Sequence, residues 1–125
     1  GISVGVSLQG CRARLPLNTE LALFRIAQEA LHNVERHSMA TRCSIELHCT
    51  SDVVRLVVAD DGQGFVFDPA RIATDPDRHL GLIGMHERAQ AIGGKLRVRS
   101  LPGKGTTIEV TLPVGSATKP GQSSR

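Results

Sequence analysis

The sequence predicts a two-layer α/β sandwich: a mixed, largely antiparallel sheet with helices packed on one face. Two observations carry this. Five stretches alternate apolar and polar residues, the period-two signature of strands with one buried and one wet face, and two stretches repeat their apolar residues at steps of three and four, the signature of amphipathic helices. A doubly wound parallel sheet is excluded, because its strands would be apolar on both faces. At 125 residues the chain has room for one domain and one core.

In the first alternating stretch Ile2, Val4, Val6 and Leu8 fall on one face and Ser3, Gly5, Ser7 and Gln9 on the other, which predicts a half-buried strand. Pro16 breaks the pattern, and Asn18 or Thr19 is the expected cap of a helix from about Glu20 to His37, with Leu23, Ala27, Ala30 and Val34 as its core stripe. Two strands follow. Cys43, Ile45, Leu47 and Cys49 share one face of the first, and the valine-rich second runs from Val53 to Ala59. Between Asp60 and Leu80 the pattern is lost among glycines, prolines and charges, as expected for a functional loop or lid. A second helix is expected from about Leu82 to Ile92, ended by Gly93-Gly94. Two more strands, around Leu96 and Val98 and around Ile108, Val110 and Leu112, are joined by a turn at Pro102-Gly103. The domain is expected to span 1–114, and the Ser-, Thr-, Pro- and Gly-rich 115–125 reads as a flexible tail.

Composition narrows function by exclusion. Only 2% of residues are aromatic, and the net charge of +3 comes from scattered Lys and Arg, so there is neither a stacking surface nor a basic stripe and no nucleic-acid partner is expected. Cys11, Cys43 and Cys49 show no C-x-x-C spacing, which predicts neither a zinc site nor a disulfide framework and fits a reducing cytosol; Cys43 and Cys49, on the apolar face of their strand, read as small core residues. No apolar run approaches the ~18 residues of a membrane span.

Four segments carry possible chemistry. On the first helix Glu29, Asn33 and His37 step by four and share a flank. Asn33 there offers a neutral oxygen to a hard cation and Arg36 a donor to phosphate, although the pattern taken alone favours a solvated polar flank. Asp60-Asp61-Gly62-Gln63-Gly64 follows a strand, where a carboxylate can accept from an exocyclic amine and glycines let backbone approach a ligand; the bland alternative is a plain Asp-Gly turn. Leu80-Gly81-Leu82-Ile83-Gly84-Met85 reads as a loop opening a helix, whose unpaired N–H groups favour phosphate. Gly103-Lys104-Gly105-Thr106-Thr107 is a tight turn into the last strand. The P-loop pattern G-x-x-x-x-G-K-[ST] does not occur.

Taken in order, E-x-x-x-N-x-x-R-H on a helix, D-x-G-x-G after a strand, a lid, G-L-x-G-M and then G-x-G-T closely resemble the GHKL superfamily of ATP-binding domains, which includes gyrase, Hsp90, MutL and histidine kinases. The wording Leu23-Phe24-Arg25-Ile26-Ala27-Gln28-Glu29-Ala30-Leu31 and Gly84-Met85-His86-Glu87-Arg88-Ala89 before Gly93-Gly94 is similar to the nitrate-sensor type of two-component histidine kinase. The resemblance runs from the first strand to Pro113 and implies a Bergerat-type fold. It implies that Asn33 coordinates Mg²⁺ bridging the ATP phosphates, that Glu29 is catalytic, ordering a metal-bound water or assisting proton transfer, and that Arg36 and His37 line the phosphate side. It assigns Asp60 to the adenine amine, with Gly62 and Gly64 admitting the base. Gly81 and Gly84, with Leu82 and Met85, shape the lid hinge, and Thr106, beside Gly105, closes the adenine side. At His79 many relatives carry glycine instead.

The activity implied is transfer of the γ-phosphate of ATP to a histidine on a separate dimerisation domain, for relay to a response regulator. None of His32, His37, His48, His79 or His86 stands in the E-L-H-D context of such an acceptor, so the expectation is a cytoplasmic, monomeric catalytic fragment of a longer, homodimeric kinase, with a membrane anchor in the parent left open. An anti-sigma-factor-type serine kinase and a non-catalytic nucleotide-sensing module are the alternatives.

Overall fold

The computed structural model describes residues 2–11, 15–66 and 76–113. Seven elements follow in order: β1 (Ser3–Gln9), α1 (Leu17–Asn33) continued by one π-helical turn (Val34–Ser38), β2 (Arg42–Cys49), β3 (Val53–Asp60), α2 (Pro76–Ala91), β4 (Lys95–Ser100) and β5 (Thr106–Pro113). The strands form one sheet in the order β1-β2-β3-β5-β4. Only β1 runs parallel to its neighbour; the other three pairings are antiparallel. The mixed sheet and helix layer are the architecture that the alternation predicted.

Register explains the core. Ile45 stands opposite Val58 and Leu47 opposite Leu56 across β2 and β3, while Val58 faces Ile108, Leu56 faces Val110 and Val54 faces Leu112 across β3 and β5. Directly opposed residues share a sheet face, so these rows form one apolar surface. Leu23, Ile26, Ala30 and Val34 of the α1 segment and Leu82, Met85 and Ala89 of α2 close over it. On the opposite face Arg55 of β3 and Arg99 of β4 pair with Glu109 of β5.

Several local expectations are corrected. Helix α1 starts at Leu17, three residues early, and neither Asn18 nor Thr19 caps it: the Pro16 carbonyl accepts from the N–H groups of Thr19 and Glu20, and Thr19 is buried. Ile26, fully buried, belongs to its stripe, whereas Ala27 lies at the margin. Helix α2 starts at Pro76 rather than Leu82. Proline at the first helical position and Asp77 in the first turn are ordinary start signals, masked in the sequence by Gly81 and Gly84 further on. The C-terminal end is as expected: Gly94 N–H donates to the Ala89 carbonyl and Gly93 N–H to that of Gln90, with Gly93 at φ +82°.

Strand β1 is not half-buried. Val6 and Leu8 are 69% and 68% exposed although they share a face with buried Cys43 and partly buried Ile45. The helix layer does not extend over this edge. Of the cysteines only Cys43 is a free core residue; Cys11 and Cys49 are joined by a disulfide, which the absence of a spacing motif had argued against. The core of the expected lid, 67–75, and the tail, 115–125, lie outside the described residues. No helix among the described residues is long and apolar enough to cross a membrane.

Candidate functional site

The apolar rows of the sheet end in polar residues at one edge of the helix layer. Counting by twos along β3, Val54, Leu56 and Val58 bring Asp60 to the core-facing side, and along β5 Leu112, Val110 and Ile108 bring Thr106 there, directly opposite Asp60. Above them the buried stripe of α1 passes from Ile26 and Ala30 to Asn33 and His37. The result is a narrow cleft lined by Asn33, His37, Asp60, Gly64, Phe65 and Arg78 over a floor of Ala30, Val34, Val58, Leu82, Thr106 and Ile108.

Asp60 is held from its own loop: its carboxylate accepts from the Gly62 N–H at 2.7 Å. Burial pushes its pKa above the ordinary carboxylate value, and the Gly62 and Thr106 N–H groups oppose that rise. Two glycines fix the walls around it. Gly105, at φ +75°, lies so close to the Asp60 carbonyl oxygen that a Cβ would stand 2.1 Å from it, and Gly64, at φ +67°, packs equally tightly on the Leu101 carbonyl. Ser100, which the sequence did not flag, ties the two loops together: its hydroxyl accepts from the Phe65 N–H and shares a hydrogen bond with the Thr106 hydroxyl at 2.7 Å. The neighbouring Asp61 faces away and is structural. Its carboxylate accepts from the Thr41 and Arg42 N–H groups and the Thr41 hydroxyl, which lowers its pKa.

The helix side differs in character. Among the described residues Asn33 Oδ1, which is buried, has no hydrogen-bond partner, a state that buried polar atoms seldom occupy. Glu29 and Asn33 both lie against Gly81 of α2, where an added Cβ would come within 2.6 Å of Glu29 Oε2. Beyond the helix proper, on the π turn, His37 Nε2 lies 3.0 Å from Asp77 Oδ2, with His32 at 3.7 Å and Arg36 at 4.0 Å from the same oxygen. The His37 hydrogen bond, then the nearby positive charges, hold the Asp77 carboxyl below its ordinary pKa. Asp77 was missed because it was read as loop. So was Arg78, whose guanidinium stacks 4.5 Å over the Phe65 ring.

Of the residues singled out from sequence, Asn33, His37, Asp60, Gly64, Leu82 and Thr106 line the cleft together. Glu29 and Gly81 stand behind Asn33, and Gly62 and Gly105 shape the loops around Asp60. Arg36 is largely exposed and reaches Asp77. The structure separates two others from the cleft: Met85 is buried in the core, and Gly84 has open space around it. Since α2 begins at Pro76, Gly81 and Gly84 lie within the helix, and their N–H groups are not the free donors of a helix start as expected.

Known proteins similar to this chain point to an ATPase family. The family model for histidine kinase-, DNA gyrase B- and HSP90-like ATPases matches residues 18–116. The sensor histidine kinase LiaS of Bacillus subtilis is 46% identical over 92 residues, covering 74% of this chain and 24% of LiaS. The signal transduction histidine-protein kinase/phosphatase DegS of Brevibacillus brevis is 33% identical over 91% of this chain and 28% of its own, and the sensor protein VraS of Staphylococcus aureus 40% identical over 81% and 28%. The histidine kinase domain of the blue-light activated kinase of Erythrobacter litoralis EL346 shares the fold, with a TM-score of 0.64 at 23% identity over 89% of this chain and 55% of that one. The chain belongs to the family of histidine kinase-, DNA gyrase B- and HSP90-like ATPases. It spans about a quarter of the length of the curated relatives it matches.

Proposed function

We propose that this domain binds ATP with Mg²⁺ and presents the γ-phosphate to a histidine on the dimerisation domain of its own parent protein, for relay to an aspartate of a response regulator. The observation that carries the reading is the polarity of the cleft. A carboxylate, Asp60, closes one wall at the floor of the sheet, and a carboxamide, an imidazole and a guanidinium, those of Asn33, His37 and Arg78, gather on the helix side, with the exposed Arg36 beyond them at Asp77. Asp60 suits an exocyclic amine, which donates to a carboxylate. Gly64 and Gly105, lacking side chains, leave room for a flat base beside it. Thr106 and Ser100 hold that wall in place.

A magnesium ion fits the residues present. Asn33 Oδ1 is a buried oxygen without a partner, and the Glu29 carboxylate stands next to it across Gly81; hard cations take such oxygen donors. When bound, the ion would neutralise charge on the phosphates. Asn33 would hold it, Glu29 would orient a water of its shell, and Arg36 and His37 would steady the phosphate oxygens, so that the domain contributes positioning and charge stabilisation rather than a covalent step. The acceptor nitrogen comes from outside. Within the chain His79 is buried, His48 is occupied with Glu46 and His37 with Asp77.

Calorimetry with ATP and GTP, each with and without Mg²⁺, tests the binding half: ATP should bind about tenfold or more tightly than GTP, since guanine sets a carbonyl oxygen against Asp60. Incubation with γ-labelled ATP tests the transfer half. The chain alone should stay unlabelled, and a separately supplied dimerisation domain of the parent should gain acid-labile phosphate at a rate that rises with its concentration. Acid-labile label on this chain by itself would overturn the assignment of the acceptor.

A further inference from the structure

Strand β1 is the least supported element of the sheet. It pairs with β2 alone, in parallel, and its apolar residues Val4, Val6 and Leu8 stand exposed. At its C-terminal end Gly10 adopts φ +75° and lies against the Cys49 carbonyl, where an added Cβ would come within 2.3 Å of the oxygen. That turn brings Cys11 to Cys49, the last residue of β2, with Cα atoms 4.8 Å apart and a disulfide between them across 38 residues of sequence. Both cysteines are only partly buried, so a small reagent can reach them. Cys11 Sγ also lies 3.6 Å from the Leu47 carbonyl oxygen, an acceptor already in place for the thiol once the bond is cut. Both redox forms therefore fit the same backbone.

We propose that Cys11 and Cys49 are a reversible thiol–disulfide site that takes low-molecular-weight disulfides as oxidant and fastens the edge strand β1 to the sheet. A thiolate of the pair attacks the S–S bond of a glutathione-type disulfide and releases one glutathione; the second thiolate attacks the mixed disulfide and releases the other. Two protein thiols become one disulfide, and the two electrons and two protons they give up leave in two molecules of reduced glutathione. The site is remote from the cleft: in the β2–β3 register Cys49 faces Val54, whereas Asp60 faces Cys43 at the other end. Oxidation therefore acts on the exposed edge and its apolar groove, lined by Leu8, Leu15, Phe24 and Leu47 together with Cys11 itself, and leaves the Asp60 wall unchanged. Cys43 is an internal control, since it is buried and its thiol is pushed up to about 11, first by burial and then by Asp60 and Asp61.

The test equilibrates the full chain in mixtures of reduced and oxidised glutathione, quenches with acid, and alkylates all free thiols in denaturant for intact-mass and peptide analysis. Three alkylated thiols are expected in reduced glutathione and one in oxidised glutathione, the two lost together within the range these mixtures span, with the cross-link mapped to Cys11 and Cys49. Amide hydrogen exchange of Ser3–Gln9 should slow on the order of tenfold or more in the oxidised form. Cys49→Ser should give a glutathione adduct on Cys11 and no cross-link; should that variant fail to fold, the peptide map of the parent chain decides alone. The proposal is overturned if three thiols persist in oxidised glutathione, if the bond survives reduced glutathione and so is a permanent staple, if only adducts form, or if exchange of β1 is the same in both forms.

Discussion

The two ends of the sheet's apolar surface are finished in opposite ways. At the β3–β5 end the rows terminate in Asp60 and Thr106, under a helix layer that carries an unpartnered Asn33 Oδ1. At the β1 edge the rows simply continue outward as Val4, Val6 and Leu8, beyond the reach of α1, and a covalent bond holds the strand. The first end gives up stability: a carboxyl whose pKa is raised by burial and an amide oxygen without a donor both disfavour the folded state. The second end gives up coverage of apolar surface instead. Polar groups kept unsatisfied against a packed core fit the ligand site proposed above; apolar groups kept uncovered mark an edge the core does not cover.

The comparison breaks most readily at the turns that frame Asp60. Gly105→Ala places a Cβ against the Asp60 carbonyl and requires a positive φ, so a loss on the order of 2–4 kcal/mol is expected in urea denaturation. Gly103→Ala is the control, since it shares the positive φ but has open space around it. A loss no greater at 105 than at 103 would mean that the loop relaxes and the wall is not rigid.

The strands were legible because the period of two fixes which residues face the core, and the same counting takes Asp60 and Thr106 into the cleft. The helix boundaries were less so. In 76–81 the start signals of Pro76 and Asp77 compete with Gly81, which sits inside the helix against the Glu29 carboxylate rather than at a local break. Asp77 and Arg78 were lost with that boundary. The Cys11–Cys49 pair was illegible for another reason: it depends on β1 running parallel to β2 in a register that places the two strand ends together, and nothing local specifies that pairing. The exposure of β1 likewise depends on how far the helix layer extends, which alternation alone does not report.

Asp60→Asn separates function from stability at the cleft end. The amide oxygen can still accept from the Gly62 N–H, while the buried negative charge is removed. A group with a raised folded pKa stabilises fully below its unfolded value and loses that contribution as pH rises through the folded one, so at neutral pH the variant should melt at the same temperature or higher. Its ATP affinity should fall by about 2 kcal/mol, as an amine loses a charged acceptor. Weaker binding with a collapsed melting temperature would make Asp60 a structural residue.

Asn33→Ala asks whether the unpartnered oxygen serves a cation. The gain in ATP affinity that Mg²⁺ gives the parent chain should shrink by roughly tenfold, comparable with the loss seen when the surroundings of a metal site are altered. The melting temperature should move little, because the oxygen removed has no partner in the fold. A steep drop in stability with an unchanged Mg²⁺ effect would assign Asn33 to packing.

The smallest expected effect concerns Asp77, which meets the basic side chains of the helix side. Its carboxylate meets His37 and Arg36, the groups proposed to face phosphate, and also His32, so ATP must compete with it. Asp77→Asn keeps the shape and removes the charge, and ATP affinity should rise by roughly two- to fivefold, the scale of an exposed ion pair. The same pair gives a pH signature. Because the folded pKa of Asp77 is lowered, its contribution to stability is present above the ordinary carboxylate value near 3.8 and disappears as pH falls through the lower folded value. Melting curves of the parent chain and the variant should therefore differ at neutral pH and converge in acid. Unchanged or weaker ATP binding by the variant would show that Asp77 does not compete with the nucleotide and serves only to fasten the start of α2 to the π turn.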